Sequence, residues 1–241
     1  MTRLIASELL KLRTTRAFWV FVIAAVVLAT LVSVPVVAFS SLLVEEELRA
    51  LLSNIGVAGV VALLLGVVGM TGEHRHGTLT PTLLVAPRRI QVVVAKALAY
   101  ALAGALLGLA AFAILALIAL PWWNARGGEG VPAGEVLLIG LGVALNSGLL
   151  AALGVGLGAL LRNQIVAIVV PLVYILMVEP AIGVFSDPVA TYGLSGVTSS
   201  LSRAPSEDLS IPMGLAGLIL LGYAAALIAA GAWATARQDV A

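Results

Sequence analysis

The chain has 241 residues, of which 61% are hydrophobic and 10% charged, and its mean hydropathy is +1.15. A soluble domain carries about 45–50% apolar and about 25% charged residues, so this balance excludes an ordinary soluble fold and fits a polytopic membrane protein. A net charge of +1 gives no ground for a nucleic-acid partner, and the absence of cysteine excludes disulfides, thiolate catalysis and thiolate metal sites.

Residues 1–16 read as an amphipathic helix. Ile5, Leu9 and Leu12 share one face, whereas Arg3, Ser7 and Lys11 lie on another, with Arg13 and Arg16 beyond them. Such a basic helix can lie in the headgroup layer near anionic lipid, contact a cytoplasmic partner, or serve only as a positive-inside anchor. The apolar run that follows, Ala17–Phe39, exceeds the usual 7–15 residues of a signal-peptide core and is expected to remain as a membrane anchor.

About 20 apolar residues cross a bilayer as a helix. By that measure the spans are Ala17–Phe39, Ser53–Met70, Ala97–Leu120, Val136–Leu161, Ile165–Phe185 and Ile211–Ala236, giving an all-α membrane domain of six helices. With the N-terminus inside, the inner segments hold Arg3, Lys11, Arg13, Arg16, Arg75, Arg88, Arg89, Lys96, Arg162 and Arg237, and the outer ones only Arg49, Arg126 and Arg203. The positive-inside rule therefore puts both termini in the cytoplasm, with residues 71–96 as an inner loop and 186–210 as an outer one. Small residues let helices approach closely in lipid. Gly104/Gly108 and Gly154/Gly158, with Gly56, Gly59, Gly66 and Gly69, are expected to pack the bundle. Trp122 and Trp123 after the third span, Trp19 in the first and Trp233 in the sixth fit aromatic belts.

The inner loop, "TGEHRHGTLTPTLLVAPRR" from Thr71 to Arg89, is the most polar stretch. It starts like a phosphate loop, but Thr78 stands where the phosphate-binding lysine is required, so nucleotide binding is rejected. His74, His76 and Glu73 fall short of a full metal-ligand set and read as part of a solvated basic loop. Thr80 is a candidate N-cap and Pro81 suits the first helical position, so Thr82–Ala86 is expected to form a short helix ended by Pro87. Lys96 reads as the return to the membrane.

Two features lie inside later spans. Asn146 and Ser147 are expected to form interhelical hydrogen bonds, though Asn146 is also a candidate for the substrate path. Glu179 falls about 6 Å beyond the middle of the fifth span. A carboxylate there is a substrate or gating contact, a polar anchor close to the outer headgroups, or a group that satisfies backbone freed by Pro180.

The pattern Glu73-x-x-x-Gly77-Thr78-Leu79, then Leu83-Leu84, Pro87-Arg88-Arg89 and Lys96, resembles the loop between the second and third spans of ABC-2 type transporter permeases. The opening "ELLKLRTTRAFW" and the stretch "LRNQIVAIVVPLVYILMVEP" are similar to bacterial, especially actinobacterial, members of that family. The resemblance implies a six-span subunit in the bacterial plasma membrane. It implies pairing with a second permease subunit, as a homodimer, and with separate ATPase subunits. ATP and Mg would then be bound by those partners, with no cofactor in this chain. It further implies that Glu73, Gly77, Thr78, Leu79, Leu83, Leu84, Pro87 and Arg88 form the ATPase-coupling segment. A partly re-entrant segment between the last two spans is also implied, for which Asp187–Ser210 is the candidate. The solute is exported in most of the family; a drug, antibiotic, peptide or lipid-like molecule would fit.

Two other classes compete. A stand-alone secondary transporter or channel usually carries paired intramembrane charges or inverted repeats, whereas Glu179 is the single carboxylate deep in a span here. An intramembrane enzyme would need a nucleophile with a base or a metal set, and no span holds one.

Overall fold

In lipid, backbone amides find no water, so long apolar runs must bond within themselves as helices. A computed structural model describes residues 1–39, 44–53, 56–75, 89–128, 130–204 and 211–236. Among these residues, six helices are long and apolar enough to cross a membrane. In chain order the helices are α1 (Thr2–Thr14), α2 (Arg16–Phe39), α3 (Glu45–Ser53), α4 (Gly56–Arg75), α5 (Arg89–Ala125) and α6 (Ala133–Leu161). They continue with α7 (Gln164–Val173), a π-helical stretch Tyr174–Val178, α8 (Glu179–Gly183), α9 (Asp187–Tyr192), α10 (Leu194–Leu201) and α11 (Met213–Ala236). The six spans are α2, α4, α5, α6, the run from α7 through α8, and α11.

The short α1 precedes α2 at one end of the bundle, the near end. Only Arg162 and Asn163 separate α6 from α7 there. The Asn163 side chain caps α7 by accepting from the amides of Ile165 (3.0 Å) and Val166 (3.3 Å). Arg162, at φ 57° in the left-handed region, donates to the Ala234 carbonyl oxygen at the end of α11. That carbonyl would otherwise be an orphan of the helix terminus.

Helix α6 is the hub. It packs most extensively on α5, α4 and α11, and most of its residues are buried. Helix α2 packs on α5 and α4, and it, α11 and the α7–α8 run expose long apolar faces. Glycine allows the hub to form: a Cβ on Gly156 would lie 2.7 Å from the Ile228 nitrogen of α11. Likewise, a Cβ on Gly104 of α5 would collide with Ala151 and the Ser147 carbonyl. The expected glycine packing is thus intramolecular at these positions.

Helix α5 begins at Arg89, ahead of the span expected at Ala97–Leu120, and has 37 residues. At 1.5 Å per residue it is about 55 Å long, against about 30 Å of hydrocarbon, so it extends beyond the membrane core. Trp123 is not in an aromatic belt: it is fully buried with Leu48, Leu51 and Leu52 of α3, whereas Trp122, Trp19 and Trp233 are exposed. The apolar Leu face of α3 folds over the indole and shields it. Trp123→Ala is expected to cost about 3–5 kcal/mol by opening a cavity under α3. Thermal unfolding in detergent measures it, with Trp122→Ala as the nearly silent control.

Beyond α8 the chain doubles back. Gly183 faces Ala190 across the α8–α9 turn, and Gly193 packs against Glu179. From there α10 runs outward again, ending beside Gly142 of α6 and α11. Of the segment expected to be re-entrant, residues 187–204 form a helical hairpin folded back along the end of the fifth span, and residues 205–210 lie outside the described residues.

Candidate functional site

The apolar periodicity of α1 continues through a carboxylate. Glu8 lies three residues after Ile5 and four before Leu12, so it shares their inward face and is buried with Leu12. It meets Lys96, whose side chain is 2% exposed, at 2.6 Å through Oε2. Lys96 Nζ also donates to Glu73 Oε1 at 3.0 Å. Lys11 donates to Glu8 Oε1 at 2.6 Å and to Glu73 Oε1 at 3.1 Å. Lys96 Nζ lies 5.3 Å from the Tyr100 ring centroid, within cation–π range. Charged groups are seldom fully buried unless paired, and here two acids balance two bases.

These four residues join three elements. Glu73 is near the end of α4, Lys96 is near the start of α5, and Glu8 and Lys11 come from α1. Residues 76–88 run between α4 and α5, so the cluster clamps both ends of that segment to the N-terminal helix. A cavity of about 390 Å³ opens beside it, bordered by Glu8, Lys11, Glu73, Lys96, Tyr100 and Phe18.

The electrostatics set a pH window for this clamp. Burial pushes the Glu8 carboxyl up, but the Lys96 charge and hydrogen bonds from Lys11 and Lys96 outweigh it, holding it below its ordinary 4.5. Burial pulls Lys11 down, but its bonds and attraction to Glu8 and Glu73 carry it above its ordinary 10.5. A depressed acid stabilises the fold above its unfolded value and loses that contribution as pH falls through the folded one. A raised base stabilises below its unfolded value and loses that contribution as pH rises through the folded one. Attachment of α1 is therefore expected to hold between about pH 5 and 10 and to loosen outside that window. Thiol labelling of a Leu12→Cys reporter across pH, corrected for the thiol's own ionisation, measures this; a flat profile at both extremes would contradict it.

Of the residues expected to form a coupling segment, Glu73 is in the cluster; Gly77, Thr78, Leu79, Leu83, Leu84, Pro87 and Arg88 lie outside the described residues. So do His76 and the short helix expected at Thr82–Ala86. Lys11 joins the cluster, whereas Arg13 and Arg16 are exposed. Arg3 contributes its backbone to α1. Lys96 turns inward to the ion pairs. Glu8 was missed altogether, although its place in the Ile5–Leu12 periodicity was the available signal.

Glu179 is 3% exposed and accepts from the Ser195 amide at 2.6 Å. It therefore satisfies backbone at the start of α10, not backbone freed by Pro180. Asn146 and Ser147 are also buried, yet among the described residues their side chains form none of the expected interhelical hydrogen bonds. At the far end, Glu135 links Arg49 (2.6 Å) to Arg203 (3.1 Å), drawing α3, α6 and the end of the hairpin around a cavity of about 580 Å³. These pairs are partly exposed, and such bridges are individually weak.

A family model described as ABC-2 family transporter protein matches residues 4–178, well over half of the chain and including every member of the ion cluster. No curated protein matches the chain.

Proposed function

Because the chain belongs to the ABC-2 family of transporter proteins, whose permeases are membrane transport subunits that generally work with an ATPase, we propose that it is the permease of an ATP-driven exporter. In this reading two copies pair, and each receives a separate ATPase subunit at residues 71–96, on the cytoplasmic side of a bacterial plasma membrane. ATP and Mg act in those partners, and the solute is a drug, an antibiotic or a lipid-like molecule.

The ion cluster at the two ends of the 76–88 segment carries this reading. A segment that receives motion must pass it to the spans, and loosely tethered charges would dissipate it. Here Glu73 and Lys96 fix both flanks to one another and to α1, so a push on the segment moves α4, α5 and α1 together. The chain-order position of the cluster, directly beside the family-like loop motif, supports the assignment of that loop as the ATPase contact.

Purification of the tagged chain from its membrane tests it. A P-loop ATPase is expected to co-purify, and Leu83→Ala with Leu84→Ala is expected to release it. Glu73→Gln is expected to leave the ATPase bound but lower solute-stimulated ATP hydrolysis, because it weakens transmission and not docking. A chain that purifies alone and moves solute in ATP-free vesicles would refute the proposal.

A further inference from the structure

In the fifth span, one residue makes two unusual connections. The Glu179 backbone N–H donates to the Tyr174 carbonyl five residues back, closing the π-helical stretch Tyr174–Val178. Its side chain accepts from the amide of Ser195, the second residue of α10. A buried carboxylate at a helix N-terminus is favoured by the helix dipole and by the otherwise orphan amides. The second oxygen, Oε2, is buried and has no hydrogen-bond partner among the described residues. Part of the cost of burying this carboxyl is therefore unmet, which leaves the arrangement releasable.

The turn is built around this contact. A Cβ on Gly193 would collide with Glu179 Oε1 and the Val189 carbonyl, although its φ of −63° suits any residue. Glycine is required here for closeness alone. Gly193 and Leu194 at the turn, with Tyr174 of the π stretch, also wall an apolar cavity of about 470 Å³ among α4, α6, α7 and α11. A π-bulge holds one residue more than the α-helix would, and such bulges recur at functional sites. Its loss would rotate everything beyond it by about 100°, the angle per residue of an α-helix. That rotation would carry Glu179 away from α10.

We propose that Glu179 is the latch of the α9–α10 hairpin: it is a positioning residue that ties the register of the fifth span to the wall of the apolar cavity. With the π stretch formed, the carboxylate caps α10 and the hairpin is closed. With the stretch reset to α-helix, the cap is withdrawn and the cavity opens toward the far end. This gives the exporter reading a moving part in the half of the molecule opposite the ion cluster.

The cysteine-free chain makes the test direct. Leu194→Cys is labelled with a membrane-impermeant maleimide, in vesicles holding this chain alone with no ATPase or solute. Glu179→Leu, Gly193→Ala and deletion of Met177 in the π stretch are each expected to raise the labelling rate about tenfold or more, as loss of a charged hydrogen bond would. Glu179→Gln, which keeps an acceptor, is expected to stay near the parent rate. Gly193→Ala keeps the carboxylate, so its agreement with Glu179→Leu would locate the effect in the contact and not in the charge. Parent-like labelling in all three, or Glu179→Gln behaving like Glu179→Leu, would overturn the latch. Because no ATPase takes part, failure here is distinguishable from failure of the exporter reading, which rests on co-purification.

Discussion

Replacing Lys96 with methionine is expected to detach α1 from the bundle and to cost about 3–5 kcal/mol, the usual penalty for breaking a buried ion pair. Glu8 is the reason. Its side chain is 5% exposed, so without Lys96 it keeps, among the described residues, the half-exposed Lys11 as a cationic partner. The neutral stem of methionine fills much of the same space, so lost packing contributes little. The reverse change has a different size: Glu8→Leu leaves Lys96 paired with Glu73 at 3.0 Å, so a smaller loss is expected. The double variant Glu8→Leu with Lys96→Met should recover much of the stability, because two apolar side chains can replace a buried pair at little cost. Thermal unfolding of the four proteins in one detergent gives the cycle. If Lys96→Met alone is neutral, the pair is not a clamp. If the double variant is stable but solute-stimulated ATP hydrolysis remains low, the charges themselves serve transmission and not only folding.

That cluster also marks the limit of what the chain disclosed as a sequence. The six spans were legible because twenty apolar residues have few other fates, and the glycine contacts were legible because small residues in lipid imply close helices. Lys96 was not, since a lysine at the start of an apolar run has the same appearance whether it reaches for headgroups or turns inward. The difference lies in α1, where Glu8 interrupts an apolar face. Only when α1 lies against α4 and α5 do charges 62 and 88 residues apart become neighbours. Trp123 was misread for a related reason: at the end of a span an indole fits a belt, unless a helix such as α3 folds over it. The α9–α10 hairpin lacks an apolar run of its own. Its position depends on a tertiary contact between Glu179 and Ser195, which no local pattern encodes.

Gly66→Ala and Gly154→Ala are each expected to cost about 3 kcal/mol or more, the upper end for overpacking. The two residues face one another's helices: a Cβ on Gly66 of α4 would strike the Ala151 carbonyl oxygen of α6, and one on Gly154 would strike the Leu63 carbonyl oxygen of α4. A flexible side chain could swing aside, but a helical carbonyl is held by its own hydrogen bond. The helices must therefore separate, and because α6 is the hub, its contacts with α5 and α11 are strained as well. The expected double variant is less than additive, since the first separation makes room for the second methyl. Gly222→Ala supplies the opposite sign. Beyond its own helix backbone, no neighbouring atom lies within 4 Å of its added Cβ, so the remaining effect is the gain of about 0.5–1 kcal/mol from replacing glycine inside a helix. Measured side by side, Gly66→Ala should lower the unfolding temperature and Gly222→Ala should hold or raise it. Equal responses would mean that the α4–α6 approach does not bear on stability.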